Sequence, residues 1–196
     1  MPTFKVAVTG GICSGKTFVL DVFKKNNIST FSFDESVHWC LKNNKDVLLK
    51  IYDTFPDAIS KTGVNTLALR KAVFNSASLL SELESILYPH LFEMELSFFN
   101  ENLAQTMVVS EVPLLFEKNL IARYDYIILT TCAQDIKIAR AAKRHVDKET
   151  LLKIQSVQIS DEDKIYRSDL ILDTSSSRLE KKNELLIKEL INRFVV

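Results

Sequence analysis

Short apolar runs alternate along this chain with longer stretches in which apolar residues recur at helical spacing. The apolar runs predict five short buried strands, at residues 4–9, 28–33, 107–112, 126–131 and 170–172. Helical spacing predicts helices at residues 18–25, 79–103, 135–144 and 179–194. Because alternating strands and helices form crossover units, the pattern predicts an α/β fold with a parallel sheet.

Residues 35–103 interrupt this alternation, since they read as helical almost throughout. That length exceeds one crossover, so we expect a helical insertion over the edge of the sheet. Pro89 should kink or end a helix there. We find no repeat, low-complexity tract or proline-rich linker, so the 196 residues suit one domain. We expect a core of about 1–34 and 104–196, with an insertion of about 35–103.

Composition argues against several classes of protein. The 25 basic and 25 acidic residues cancel, whereas duplex-binding proteins usually carry a basic excess. No apolar run approaches the roughly 20 residues that span a bilayer, and the N-terminus lacks the basic region of a secretory signal. The three cysteines have no metal or disulfide spacing. We therefore expect a cytoplasmic protein with free thiols and neither a nucleic-acid nor a membrane partner.

Three of the four glycines fall in TGGICSGKTF, residues 9–18, directly after the first predicted strand. Gly10 to Thr17 spell the phosphate-binding pattern G-x-x-x-x-G-K-[ST]. Glycines allow backbone N–H groups to surround phosphate oxygens, and the following helix N-terminus adds unpaired donors. Lys16 would bind the β- and γ-phosphates, and the Thr17 hydroxyl could ligate Mg²⁺. The residues expected to line this nucleoside triphosphate site are Gly11, Ile12, Cys13, Ser14, Gly15, Lys16, Thr17 and Phe18.

Further candidate residues follow other predicted strands. Asp34 follows the second strand, where loops surround the ligand crevice of a parallel sheet, and could accept a proton from an acceptor hydroxyl. It could equally cap a helix at residues 35–41. Glu111 ends an apolar run and could help hold Mg²⁺, or be a surface strand end. Arg140 and Arg144 share one helix face and could reach phosphates together, or form a solvated charged face.

A phosphate loop by itself does not separate a kinase from a GTPase switch. The guanine-specific pattern N-K-x-D fails at its last position in Asn44-Lys45-Asp46-Val47. The chain resembles dephospho-coenzyme A kinases nearly from end to end. The stretches that carry the resemblance are VAVTGGICSGKT, FSFDESVHWCL, LRKAVF (69–74), LESILYP (83–89), VVSEVPLLFEKNL (108–120), Gln158 and SDLILDTSS. The Pro-Leu-Leu-Phe-Glu run within residues 108–120 is the most distinctive of these.

The resemblance implies transfer of the γ-phosphate of ATP, with Mg²⁺, to the ribose 3′-hydroxyl of dephospho-CoA, the last step of coenzyme A biosynthesis. It implies a P-loop NTPase-type parallel sheet flanked by helices, a helical substrate-binding insertion and a helical lid around 140–165. ATP and dephospho-CoA would be the partners of a monomer or weak homo-oligomer. Another P-loop small-molecule kinase and a non-catalytic ATP-binding regulator remain the alternatives.

The resemblance also implies roles for individual residues. The catalytic residues would be Lys16, Asp34 and Arg140, with Arg144 also on ATP. Substrate contacts would come from Asp34, Arg70, Tyr88, Leu114 and Glu117, and metal contacts from Thr17 and Glu111.

Some positions depart from the family pattern. Cys13 replaces a third glycine, so the loop must adopt either a negative φ or a mildly strained conformation there. Glu111 replaces an aspartate, Tyr88 replaces a histidine, Thr66 replaces an arginine, and Thr174 replaces an asparagine that often helps the adenine site. Because none of these changes falls at Lys16, Asp34 or Arg140, we expect catalysis to survive.

Overall fold

The computed structural model describes residues 2–74 and 76–194. Within them the strands are β1 (Phe4–Gly10), β2 (Ser29–Ser32), β3 (Ile59–Ser60), β4 (Gly63–Val64), β5 (Met107–Glu111), β6 (Tyr126–Thr131) and β7 (Leu170–Asp173). The α-helices are α1 (Lys16–Lys25), α2 (Phe33–Asn43), α3 (Lys45–Thr54), α4 (Thr66–Phe74), α5 (Ala77–Glu101), α6 (Gln134–Lys143), α7 (Lys148–Ser156), α8 (Asp161–Ile165) and α9 (Ser177–Phe194).

The chain divides into two compact units. One contains the residues up to Ser32 together with those from Phe99 onward, and the other is Phe33–Phe98. That both act as one kinase domain, with a lid at 140–165, stays a prediction.

A parallel sheet forms the centre of the first unit. Its five strands lie in the order β2-β5-β1-β6-β7, and every adjacent pair is parallel. Apolar side chains from β1, β5 and β6 pack with those of α1 and α9 in one buried cluster, which includes Val8, Phe23, Val109, Ile128 and Ile187. The predicted α/β fold is therefore confirmed. All five predicted strands are present within one residue at each end. β1, β5 and β6 are largely buried as predicted, because central parallel strands read as continuous apolar runs. β2 and β7 lie at the edges of the sheet and are only partly buried, so the prediction of buried strands is wrong for these two.

The second unit contains α2 to α4, most of α5, and a hairpin that the helical pattern did not predict. In this hairpin β3 pairs antiparallel with β4, and Gly63 adopts a φ of +114° at its turn. Two-residue strands are too short to produce a readable alternation of polar and apolar residues. The reading of residues 35–103 as helical almost throughout is therefore wrong at residues 59–64.

Pro89 lies inside α5, which continues to Glu101, so this proline does not end the helix. Proline leaves the carbonyl four residues earlier without its helical N–H partner. That carbonyl belongs to Ser85, and both Ser85 and Pro89 are exposed, so water can satisfy it.

Asp34 occupies a different position from the one expected. Strand β2 ends at Ser32 and α2 begins at Phe33, so Asp34 lies in the first turn of α2. A capping residue precedes the first helical residue, so the reading of Asp34 as the cap of a helix at 35–41 is wrong. An exposed carboxylate in a first turn is still favoured by the helix dipole.

Candidate active site

The phosphate loop, residues 10–17, joins β1 to α1 and requires two of its glycines. Gly10 has a φ of +143°, and a Cβ there would clash with the carbonyl and hydroxyl oxygens of Thr130. Gly15 precedes α1 with a φ of +96°, and its Cβ would lie 2.6 Å from the Thr174 hydroxyl. L-residues with side chains rarely adopt these angles, so the backbone can follow this path only with glycine at both positions.

Cys13 takes the strained of its two expected conformations. Its φ is +60°, in the left-handed region that costs a residue with a Cβ roughly 1–2 kcal/mol. The side chain is buried in a small cluster with Ala141 and Leu151. Burial of the thiol among apolar side chains of α6 and α7 offsets part of the backbone strain.

Lys16 lies over the backbone of its own loop. The side chain is buried, and its Nζ donates to the carbonyl oxygens of Gly10 and Gly11, each at 3.1 Å. Gly15, the residue preceding α1, has no side chain to cap the helix, so the first-turn N–H groups are left for a ligand. A buried ammonium and a helix N-terminus at one loop form a strong anion-binding arrangement.

Contacts with other elements hold the loop in shape. The Ser14 and Thr130 hydroxyls share a hydrogen bond of 2.6 Å, which ties the loop to the end of β6. The Ile12 N–H donates to the Gln158 side-chain oxygen at 3.3 Å, and the Ser14 N–H donates to the Gly11 carbonyl at 3.2 Å. The loop is therefore bonded to the sheet on one side and to the segment after α7 on the other.

An ion pair lies beside Gly11. The Lys137 Nζ is 2.6 Å from the Asp161 Oδ2, and both side chains lie near the position of a Cβ at Gly11. Neither Lys137 nor Asp161 was predicted as a site residue, and Gln158 was named only as part of the family resemblance. Lys137 lies three residues before Arg140, so the two share a helix face, and this spacing could have identified Lys137 as a site residue. No sequence pattern marks Asp161 or Gln158 in the same way.

Arg140 and Arg144 lie in different environments. Arg140 donates to the Thr174 hydroxyl at 2.8 Å, to the Thr174 carbonyl at 2.7 Å and to the Cys13 carbonyl at 3.3 Å, and it pairs with Glu180 at 3.2 Å. Arg144 follows the last residue of α6 and is exposed. Arg140 thus contacts the loop through protein acceptors, and phosphate contacts by either arginine stay predictions.

Glu111 lies buried at the end of β5, so its reading as a surface strand end is wrong. Its Oε2 accepts a 2.5 Å hydrogen bond from the Ser32 hydroxyl, and only 4% of the residue is exposed. The Thr17 side chain is exposed at the start of α1. In residues 2–74 and 76–194, no group of three or more His, Cys, Asp or Glu is placed to hold a metal ion. Metal binding by Thr17 and Glu111 stays a prediction.

The Pro-Leu-Leu-Phe-Glu run contacts the predicted lid. Glu117 lies 2.9 Å from the Nζ of Lys164, which is fully buried, and it accepts a 2.9 Å hydrogen bond from the Ile159 N–H. Leu114 is half-buried in the same segment. Lys164 was not predicted as a site residue, because its partner Glu117 is far away in the chain. Glu117 therefore supports the segment before α8, and its contact with substrate stays a prediction.

Asp147 begins the next part of the predicted lid by capping α7. Its side chain accepts a 2.8 Å hydrogen bond from the Thr150 N–H, which holds the pKa of the Asp147 carboxyl below its usual value. The cap explains why a new helix begins three residues after His145, where φ is +56°.

The other predicted substrate residues lie on separate helices of the second unit. Arg70 is exposed on α4. Tyr88 is half-buried on α5, and its ring centroid lies 5.4 Å from that of Phe92. Phe33, next to Asp34, also contacts Phe92, with 6.2 Å between ring centroids. An aromatic cluster of Phe33, Tyr88 and Phe92 therefore joins α2 to α5.

The chain shares both sequence and fold with known proteins. A dephospho-CoA kinase (CoaE) family model matches residues 4–180. The dephospho-CoA kinase of Bartonella quintana (strain Toulouse) is 36% identical over 172 residues, covering 86% of this chain and 88% of that protein.

In the described part of the chain, no helix is long and apolar enough to cross a membrane.

Two solved structures show the same fold. TT1252 from Thermus thermophilus has a TM-score of 0.84 at 22% identity, covering all of both chains. Dephospho-CoA kinase from Campylobacter jejuni has a TM-score of 0.63 at 22% identity, covering 95% of this chain and 96% of that chain. At these identities the structures support the P-loop kinase fold alone. The family model, together with a relative 36% identical over most of its length, shows that this chain belongs to the dephospho-CoA kinase family.

Proposed function

We propose that this protein transfers the γ-phosphate of ATP to the ribose 3′-hydroxyl of dephospho-CoA, giving coenzyme A and ADP. The observation that carries the proposal is the buried Lys16 ammonium over a glycine-shaped phosphate loop, in a chain of this family. A kinase of this class needs positioning and charge stabilisation more than covalent chemistry.

The loop binds the triphosphate of ATP. Backbone N–H groups and the N-terminus of α1 donate to the β- and γ-phosphate oxygens. The Lys16 Nζ exchanges the Gly10 and Gly11 carbonyls for phosphate oxygens, which form stronger, charge-assisted hydrogen bonds. Because this charge acts on oxygens whose charge changes during transfer, it lowers the barrier as well as aiding binding.

Asp34 orients the acceptor. Its carboxylate accepts a hydrogen bond from the 3′-hydroxyl and takes the proton as the 3′-oxygen bonds to the γ-phosphorus. The bond between that phosphorus and the β,γ-bridging oxygen breaks, and ADP leaves with the bonding electrons. In a loose transition state the orientation of the hydroxyl contributes more than the strength of the base.

The residues present suit Mg²⁺ in their chemistry. Thr17 offers an exposed hydroxyl and Glu111 a buried carboxylate, and Mg²⁺ prefers such oxygen ligands along with phosphates and water. When bound, Mg²⁺ supplies neutralisation of charge on the β- and γ-phosphates. Thr17 and Glu111 are the residues that would hold Mg²⁺, Glu111 either directly or through water, and the Ser32 hydroxyl donates to the Glu111 Oε2.

The remaining assignments complete the proposal. Arg140 and Arg144 add positive charge around ATP from a lid at 140–165, and Arg70, Tyr88, Leu114 and Glu117 contact dephospho-CoA. We further propose a cytoplasmic monomer or weak homo-oligomer; its three free cysteines, all buried, suit a reducing compartment.

Steady-state ADP release with Mg·ATP, with and without dephospho-CoA, tests the proposal. We expect a dephospho-CoA-dependent rate and a product heavier by one phosphate in the mass spectrum. An analogue that lacks the 3′-hydroxyl is the matched control and should remain unmodified. Turnover of a different alcohol in an acceptor panel would instead favour another small-molecule kinase. ATP binding without turnover of any acceptor would favour a regulator.

A further inference from the structure

We propose that Thr174 is a positioning residue whose buried hydroxyl orients the phosphate loop for phosphoryl transfer. The inference rests on the proposed function, because it assigns a role in that reaction. Thr174 directly follows β7 and is fully buried. Its backbone N–H donates to the Thr131 carbonyl at 3.0 Å, which holds the residue at the end of the sheet.

The Thr174 hydroxyl contacts both the loop and α6. Its Oγ1 lies 2.8 Å from the Ser14 carbonyl oxygen and 3.3 Å from the Thr131 carbonyl oxygen. A hydroxyl has one proton, and the Ser14 carbonyl oxygen is the nearer of these two acceptors. The proton is therefore directed at Ser14, while the hydroxyl oxygen accepts from the Arg140 Nη1 at 2.8 Å.

The contact with the Ser14 carbonyl determines the direction of an N–H group. No peptide bond among the described residues is cis, and in a trans peptide the carbonyl and the next N–H point in opposite directions. With the Ser14 carbonyl held towards Thr174, the Gly15 N–H points away from Thr174. In a phosphate loop this is the concave side, where successive N–H groups bind phosphate.

Gly15 and Thr174 fit each other closely. A Cβ at Gly15 would lie 2.6 Å from the Thr174 Oγ1 and 2.9 Å from its Cγ2, so both the hydroxyl and the methyl limit what residue 15 can be. Thr174 thus controls the left-handed residue that precedes α1 as well as the peptide before it.

Arg140 strengthens this arrangement. Its guanidinium donates to the hydroxyl oxygen and the carbonyl oxygen of Thr174, and Glu180 holds its other side. A hydroxyl that accepts from a cation becomes a better donor, because hydrogen bonds in a chain polarise one another. The hydrogen-bond relay Arg140–Thr174–Ser14 therefore couples α6 to the orientation of the phosphate loop.

Three substitutions separate the hydroxyl from the volume that it fills. Thr174→Val keeps the shape and removes the donor, Thr174→Ser keeps the donor, and Thr174→Cys offers only a weak S–H donor. We expect kcat/KM for ATP to fall roughly tenfold or more in T174V, by an intermediate factor in T174C, and by less than about threefold in T174S. The KM for dephospho-CoA should stay the same in all three.

Nucleotide binding without dephospho-CoA gives a readout independent of the acceptor. In T174V the Gly15 N–H would no longer be held in direction, and we expect this N–H to bind phosphates beyond the α-phosphate. T174V should therefore bind ADP more weakly than the wild-type protein and bind AMP equally well, as measured by titration calorimetry. A merely structural role would lower Tm and both affinities together. Should T174V fail to fold, T174C against T174S makes the same comparison.

Equal activity in T174V and T174S, or equal losses for ADP and AMP, would overturn the role of Thr174. If the wild-type protein bound ADP more tightly than AMP but did not turn over dephospho-CoA, the proposed function alone would be overturned.

Discussion

The phosphate loop and the Phe33–Phe98 unit differ in how their predicted functional residues are held. In the loop, eight consecutive residues form the predicted site, and hydrogen bonds with Thr130, Thr174, Gln158 and Arg140 hold the loop. In the Phe33–Phe98 unit the predicted substrate residues stand on three helices, with Asp34 and Arg70 exposed.

This difference follows from the ligands. A phosphate group can be bound by backbone N–H groups, which a short motif can arrange by itself. A large acceptor with several functional groups needs side chains from several helices. Substitutions in the loop should therefore affect the chemical step most, and substitutions on exposed helical positions should mainly affect acceptor KM.

The largest effect is expected for Lys16→Met, which keeps the stem of the side chain and removes its charge. We expect kcat/KM to fall by about 10³-fold, since Lys16 is the residue assigned to donate directly to the oxygens of the transferring phosphate. Steady-state ADP release measures the effect. Lys25→Met, an exposed position on the same helix, is the control and should keep wild-type kinetics. Near-normal kcat in K16M would refute the phosphate-loop assignment.

Asp34→Asn should come next, because it keeps size and removes the base and the charge that orient the acceptor. We expect kcat to fall about 10²-fold with ATP affinity unchanged, as for loss of a general base. Single-turnover rates and ATP titration separate the two quantities. Glu35→Gln changes the neighbouring carboxylate in the same exposed turn and should have little effect. An equal fall in kcat in both variants would mean that the loss comes from a weaker interaction with the helix dipole, not from a role of Asp34 in orienting the acceptor.

Arg140→Lys should have an intermediate effect and would sharpen the comparison within α6. Lysine keeps the charge, but its single nitrogen cannot span the separate acceptors on Thr174, Cys13 and Glu180 that the Arg140 Nη1 and Nη2 reach. We expect roughly a tenfold loss in kcat/KM and a lower Tm, whereas exposed Arg144→Lys should cost at most about threefold. Kinetics and thermal unfolding of both variants measure this. A larger kinetic loss in R144K would show that Arg144 is the main phosphate ligand.

Arg70→Gln should have the smallest effect. Arg70 is exposed, and a charge-assisted contact with an acceptor phosphate there would raise the KM for dephospho-CoA about fivefold, with kcat and ATP KM unchanged. Lys71→Gln is the adjacent control. An unchanged acceptor KM would remove Arg70 from the substrate site and weaken the assignment of the Phe33–Phe98 unit to acceptor binding.

Local patterns predicted much of this molecule. The strands, the parallel sheet and the phosphate loop follow from short-range apolar periodicity and from one eight-residue motif. The hairpin at 59–64 and the start of α2 at Phe33 escaped prediction, because each depends on one or two residues. The ends of helices and strands are set by competition between local hydrogen bonds and packing. The pattern of apolar residues does not show which of the two prevails at a given residue.

By itself, the sequence determined that a phosphate-binding loop would follow the first strand of an α/β sheet, since both are local properties of the chain. Only the tertiary structure decided what surrounds that loop. Thr174 bonds Ser14 across 160 positions and Arg140 bonds Cys13 across 127, while Lys137 pairs with Asp161 across 24. Hydrogen bonds and ion pairs depend on distance in space, and the parallel sheet brings the ends of β1, β6 and β7 together whatever their separation in sequence.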